Sequence, residues 1–224
     1  FAVSIMNFAG NNKHQILDFQ DLMLFRVHEI LLVSSPYDAY ILEEDGRLTE
    51  QILHGYLGMN FSYAPRLWHA QTAQQALNMI DKRKFDLIII MLRIADMHSV
   101  SLAKKIKKIH PKTSLSLLAF DESELTVFRK NEIQHYFDRV FIWSGNSNVF
   151  LAIIKQLEDR KNSPRDINKG EVRAIIFIED SPRFYSVILP LIYQEIMYHT
   201  QQLVSKSFNH THRLLHLRSR TKIL

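Results

Sequence analysis

The sequence predicts an α/β fold built on a parallel sheet, and three observations carry that expectation. Short, almost purely aliphatic runs recur along the chain, amphipathic helical stretches separate them, and one polar segment divides two such series. A strand that is apolar on both faces needs helices packed on each side of its sheet, as parallel α/β proteins provide.

Glu29-Ile30-Leu31-Leu32-Val33 is the first such run, and Ser34-Ser35-Pro36 stops it. A helical stretch then passes through Tyr40, Ile41 and Leu42 to Leu48, Ile52 and Leu53, bent or divided at Gly46. A weaker strand at Arg66–His69 leads into a helix over Thr72–Asp81 with Ala73, Ala76, Leu77 and Ile80 on one face. Phe85–Met91 is the clearest strand of the chain. The next helix aligns Leu102, Ala103, Ile106 and Ile109 and turns Lys104, Lys105, Lys107 and Lys108 outward. His110-Pro111 ends it. Leu115–Ala119 and Val140–Trp143 read as the fourth and fifth strands, followed by a helix over Asn148–Glu158 with Phe150, Ile153, Ile154 and Leu157 inward.

Residues 161–170 are polar and carry Pro and Gly, the composition of a linker. The pattern then restarts. Ala174–Ile178 is another aliphatic strand, Glu179-Asp180-Ser181-Pro182 closes it, a helix runs over about Arg183–Leu203, and Lys222-Ile223-Leu224 reads as the start of a further strand. The expected division is an extension at 1–25 with a short helix around Leu17–Phe25, a complete domain at 26–160, the linker, and a truncated second unit with a basic tail at 171–224. The strand at 175–178 is expected to pair with the first domain or with another chain, because a bare aliphatic edge invites association. With Phe1 in place of an initiator methionine, the chain reads as a fragment.

Composition narrows the function. Of 224 residues 46% are hydrophobic and 23% charged, enough for a packed core. There is no cysteine, which removes disulfides and thiol chemistry and fits a cytoplasmic setting. No apolar run approaches the ~20 residues of a membrane-spanning helix. The net charge of +5 comes from the tail, where Lys206, Arg213, Arg218, Arg220 and Lys222 stand without an acid. Set apart those five, and the remaining 23 basic residues match the 23 acidic ones. The tail is expected to be solvated or partner-facing, and nucleic acid is disfavoured because no recognition helix accompanies it.

The order of elements resembles the receiver domain of two-component response regulators, a flavodoxin-like (CheY-like) doubly wound, five-stranded parallel sheet of strand order 2-1-3-4-5. That resemblance implies an acidic pair after the first strand, a phosphoacceptor aspartate ending the third, a Ser/Thr after the fourth and a lysine after the fifth. Grouped carboxylates would hold Mg²⁺, and one of them would attack phosphorus. Here the acidic pair is Ser34 and Ser35, the acceptor position is Met91, the hydroxyl position falls near Leu118 and the lysine position near Trp143. A methionine thioether does neither job, so the domain reads as a pseudo-receiver without catalytic residues. The second unit keeps Glu179 and Asp180, two candidate Mg²⁺ ligands.

Three stretches, Glu29–Gly46 (EILLVSSPYDAYILEEDG), Phe137–Gly145 (FDRVFIWSG) and Ile178–Tyr193 (IEDSPRFYSVILPLIY), resemble the N-terminal receiver-like region of large bacterial proteins of the phosphoenolpyruvate synthase or pyruvate, phosphate dikinase type. That resemblance implies a regulatory front end for a phosphotransferase whose catalytic parts lie elsewhere. Partners are expected to be another protein or downstream domains of the same chain, reached through the fourth helix, fifth strand and fifth helix, with a homodimer as the alternative.

Other chemistries find no footing. The 11 histidines form no metal-ligand spacing, and the turn after the first strand has no glycine for a phosphate loop. Ser34 and Ser35 lack the glycines of a nucleophile elbow and read as helix caps. A sharper alternative has Tyr37, Ser34 and Ser35 lining a residual pocket where a phosphorylation site once stood.

Overall fold

The computed structural model describes residues 2–6, 22–44, 48–50, 64–127, 130–206 and 220–224. In chain order they form β1 (Ala2–Met6), β2 (Glu29–Val33), α1 (Pro36–Glu44), β3 (Arg66–Ala70), α2 (Ala73–Lys82), β4 (Leu87–Met91) and α3 (Ser99–Ile109). Then come β5 (Ser114–Ala119), a 3-10 segment at Glu122–Val127, α4 (Lys130–Tyr136), β6 (Arg139–Ile142), α5 (Asn148–Gly170), β7 (Ala174–Ile178), α6 (Pro182–Ser205) and β8 (Lys222–Ile223).

The main sheet has the order β3-β2-β4-β5-β6, parallel throughout. This is the doubly wound flavodoxin-like order expected from the sequence. Successive side chains of a strand face opposite sides, and the core divides accordingly. Ile30, Leu32, Ile89 and Met91 enter one apolar cluster with Phe141, Trp143 and Phe150. Leu31, Val33, Ile88 and Ile90 enter the other, against Ala73, Ala76, Leu102 and Ile106. Local signals set the helix starts. Ser35 Oγ accepts the Asp38 amide at 3.1 Å with Pro36 as first helical residue, and Thr72 Oγ1 accepts the Gln75 amide at 3.1 Å.

A second sheet has the order β1-β7-β8. β7 pairs parallel with β8 across the crossover helix α6, so the restart of the pattern is a βαβ unit. Its other edge pairs antiparallel with β1, Ala2 opposite Ile178 and Met6 opposite Ala174. The N-terminal extension, and neither the first domain nor another chain, covers the aliphatic strand. The helix expected around Leu17–Phe25 lies partly outside the described residues; Leu22–Phe25 are non-helical, with Met23 at φ +51°.

The expected linker at 161–170 is not a linker. Helix α5 runs unbroken from Asn148 to Gly170, through Pro164. Proline removes an N–H and crowds the carbonyl four residues back, which is that of Arg160; the Ser163 hydroxyl donates to this carbonyl at 3.3 Å. The segment is polar because its buried face bonds polar groups. Lys155, Glu158, Asp159, Asn162 and Asp166 repeat at helical spacing, each at most 4% exposed.

On that face α5 collects the stretch before β2 and the last described residues of the chain. The amides of Met23, Phe25 and Val27, alternate residues of an extended segment, donate to Asp166, Asn162 and Glu158 at 2.8–3.3 Å. From the other end Arg220 grips Asp159 through two hydrogen bonds, at 2.6 and 3.0 Å, and Lys222 pairs with Asp166 at 2.9 Å. The Tyr193 hydroxyl and the Ile223 amide also donate to Asp159, at 3.0 and 3.1 Å. Arg220 and Lys222 are therefore buried, where the basic tail was expected to be solvated or partner-facing. Among the described residues no helix is long and apolar enough to cross a membrane.

Candidate functional site

The carboxyl edge of the main sheet is where ligands bind in folds of this order, and the degenerate positions converge there. Met91 ends β4 opposite Leu118, and Leu118 lies opposite Phe141 on β6. Met91, Leu118 and Trp143 are buried in one apolar cluster, with Met91 only 1% exposed. The Trp143 ring packs on Phe150 at 5.8 Å, and its amide donates to Ala119 at 2.7 Å. An apolar plug thus fills this part of the carboxyl edge.

The two serines have separate fates. Ser35 caps α1, as the sequence suggested. Ser34 does not; it is fully buried and its hydroxyl shares a hydrogen bond with His69 Nε2 at 2.9 Å. Tyr37 is 70% exposed, so it does not join the serines in a residual pocket.

Nearby carboxylates are committed elsewhere. Asp86 accepts the His28 and Glu29 amides at 2.8 and 3.0 Å, fixing the start of β2. Asp96 accepts the Ala73 and Gln74 amides at 2.7 and 3.0 Å, tying the loop after β4 to the start of α2. Asp38, in the first turn of α1, is the nearest approach to an acidic site. Its burial pushes the carboxyl above the ordinary range, against the lowering pull of Ser35 and the Arg93 guanidinium. Arg93 pairs with Glu124 at 2.7 Å, so a side chain supplies positive charge at this edge. Sequence reasoning passed over Asp38, Arg93 and Glu124, which stand on three separate elements.

Ser34, Ser35 and Met91 bring hydroxyls and a thioether to this edge, whereas Mg²⁺ prefers grouped carboxylates; among the described residues no three His, Cys, Asp or Glu side chains gather as a metal site.

Glu179 and Asp180 lie in a different place. They line a cleft of about 380 Å³ between β7 and the start of β6, with Asp138, Arg139 and Tyr185. Glu179 Oε1 accepts the Ser181 amide at 3.0 Å, within its own turn. Asp138 accepts the Leu115 amide at 2.9 Å and pairs with Arg160 at 3.3 Å.

Of the surface expected to meet a partner, β6 and α5 are covered by this chain's own α6. Ser186, 2% exposed, accepts the Ile142 amide at 2.8 Å, satisfying a donor of the edge strand β6. Tyr185 packs on Phe141 and stacks on Phe177 at 5.2 Å, and Gln156 donates to its hydroxyl. Burial raises the Tyr185 phenol above its ordinary range.

No family model matches the chain, and no curated protein matches it. Among solved structures it is similar to response regulator receiver domains. A CheY-like receiver domain from Methylobacillus flagellatus shares 15% identity at TM-score 0.40, covering 53% of this chain and 87% of that one. The signal receiver domain of an HD domain-containing protein from Pseudomonas fluorescens shares 21% at 0.44, covering 64% and 95%. A CheY-like receiver domain protein from Methanospirillum hungatei shares 22% at 0.45, covering 62% and 98%. The strand order and parallel pairing of the main sheet independently define a flavodoxin-like α/β domain, to which a βαβ unit is joined through α5.

Proposed function

We propose that this chain is a non-catalytic, receiver-like signalling and regulatory module that takes no phosphoryl group at the usual aspartate position. The observation that carries the proposal is Met91, 1% exposed and sealed by Leu118 and Trp143 where a nucleophilic carboxylate would be needed. Such a module works in the cytoplasm by contact, through a protein partner or further domains of its own chain. The stretches at 29–46, 137–145 and 178–193 resemble the front of phosphoenolpyruvate synthase-like proteins, which supports a role as regulatory region of such a phosphotransferase. The test is an NMR titration with Mg²⁺ and beryllofluoride, a phosphoryl mimic. Unchanged amide resonances at Ser34, Met91 and Trp143 are expected; saturable shifts centred on them would overturn the proposal.

One observation favours a second function, that of an unorthodox sensor. Glu179 and Asp180 share their cleft with Arg139, which offers carboxylates to Mg²⁺ and a guanidinium to a small anion. Calorimetric titration with MgCl₂ and with inorganic phosphate tests it, and an absence of heat from both would remove it.

A further inference from the structure

We infer that the amino edge of the main sheet is a docking site for an acidic protein segment carrying a large apolar anchor. A cleft of about 400 Å³ opens there, below the C-terminal ends of α2 and α3. This lies on the opposite edge from Ser34 and Met91, so the inference is independent of whether the carboxyl edge takes phosphate.

The floor is apolar, formed by Phe25, Phe85 and Ile109, and Ile109 is 51% exposed. Around it stand Lys84 and Lys112, from the loops after α2 and α3, and Lys161 of α5. None of the three has a carboxylate within ion-pair distance among the described residues. Lys161 instead lies over the Phe25 ring, 5.9 Å from its centroid. The remaining charges of the lining are already matched: Arg83 pairs with Glu29 at 3.4 Å, and Asp86 accepts two backbone amides. An excess of unpaired cations around an apolar floor calls for carboxylates outside and an apolar group inside.

The helix ends choose between kinds of anion. The last carbonyls of α2 and α3 carry partial negative charge toward this edge, which repels a compact phosphate seated in the cleft. A peptide avoids this by placing Leu or Phe on the floor and its Asp and Glu side chains at the lysine tips. The surface on the other side, at β6 and α5, is filled by α6, whereas among the described residues the cleft at this edge is open.

The experiment is fluorescence anisotropy of this whole chain with a labelled acidic peptide bearing one Leu-Phe anchor. Controls are a peptide of equal charge without the anchor, a short oligonucleotide and inorganic phosphate. Saturable binding is expected, weakened about tenfold or more by Lys84→Glu with Lys112→Glu and severalfold by Ile109→Ser. Lys112→Ala, a milder change at an exposed position, should weaken it less. Circular dichroism confirms that each variant is folded. No binding, equal binding of the anchorless peptide, competition by phosphate alone, or tighter binding of the oligonucleotide would each overturn the inference.

Discussion

Asp159→Ala should be strongly destabilising. The Asp159 carboxylate is fully buried and accepts four hydrogen bonds, two from Arg220 and one each from Tyr193 and the Ile223 amide. Removing it takes two hydrogen bonds and the counter-charge from the Arg220 guanidinium at 4% exposure. Loss of one member of such a pair costs about 3–5 kcal/mol, out of a total of roughly 5–15 kcal/mol for a domain. With a urea m-value of roughly 3 kcal/mol/M, the midpoint should fall by about 1–1.7 M. The assay is equilibrium urea unfolding with hydrogen exchange on residues 220–224 and on α6. Those segments should lose protection before the main sheet does. The double variant Asp159→Leu with Arg220→Met should regain part of the loss, since a buried pair is replaceable by apolar groups more cheaply than it is broken. A midpoint shift under about 0.3 M for Asp159→Ala would refute the assignment of α5 as the clasp that holds the two units together.

Restoring an acceptor should not restore a receiver. Met91→Asp places a carboxylate in an apolar cluster beside two serines, and thermal melts should show a loss of about 3 kcal/mol or more with no acetyl phosphate reactivity; a stable, phosphorylated variant would count against the apolar plug. Ser186→Ala should cost about 1–3 kcal/mol in chemical unfolding, because it leaves the buried Ile142 amide without an acceptor; a neutral result would mean that water or a neighbour replaces the hydroxyl. Burial pushes Glu158 up, but the Lys155 ammonium, its hydrogen bond and the Val27 amide more than reverse this, holding the carboxyl below its ordinary 4.5. The folded state then binds fewer protons than the unfolded one, so this contribution is present above pH 4.5 and lost as pH falls through the depressed folded value. Glu158→Gln should flatten that acid limb in unfolding curves taken from pH 6 downward, and an unchanged slope would contradict the depressed value.

The main sheet was legible because its strands are aliphatic on both faces and its helices keep apolar residues at helical spacing, as Ala73, Ala76 and Ile80 do. Polarity concealed α5. Glu158, Asn162, Ser163 and Asp166 carry the helical period in charged and amide side chains, and hydropathy scores such a face as solvent. Their distant partners, Lys222 and the amides of 23–27, with Arg220 on the neighbouring Asp159, are 56 or more residues away in the chain, beyond any local pattern. Strand β1 escaped notice for a related reason, since its role is set by β7, which stands at the far end of the sequence. At the site, the replaced positions were read from position alone. The engagement of Ser34 with His69, and the meeting of Asp38, Arg93 and Glu124, arise from tertiary packing and needed coordinates.

The central claim is that Met91 and its neighbours leave no phosphoacceptor at the carboxyl edge. Intact mass spectrometry of the chain after incubation with Mg²⁺ and acetyl phosphate tests it most directly. An unchanged mass is expected. A stoichiometric, acid-stable and base-labile gain of one phosphoryl group, mapped to Asp38, Glu124 or any other carboxylate of that edge, would contradict it.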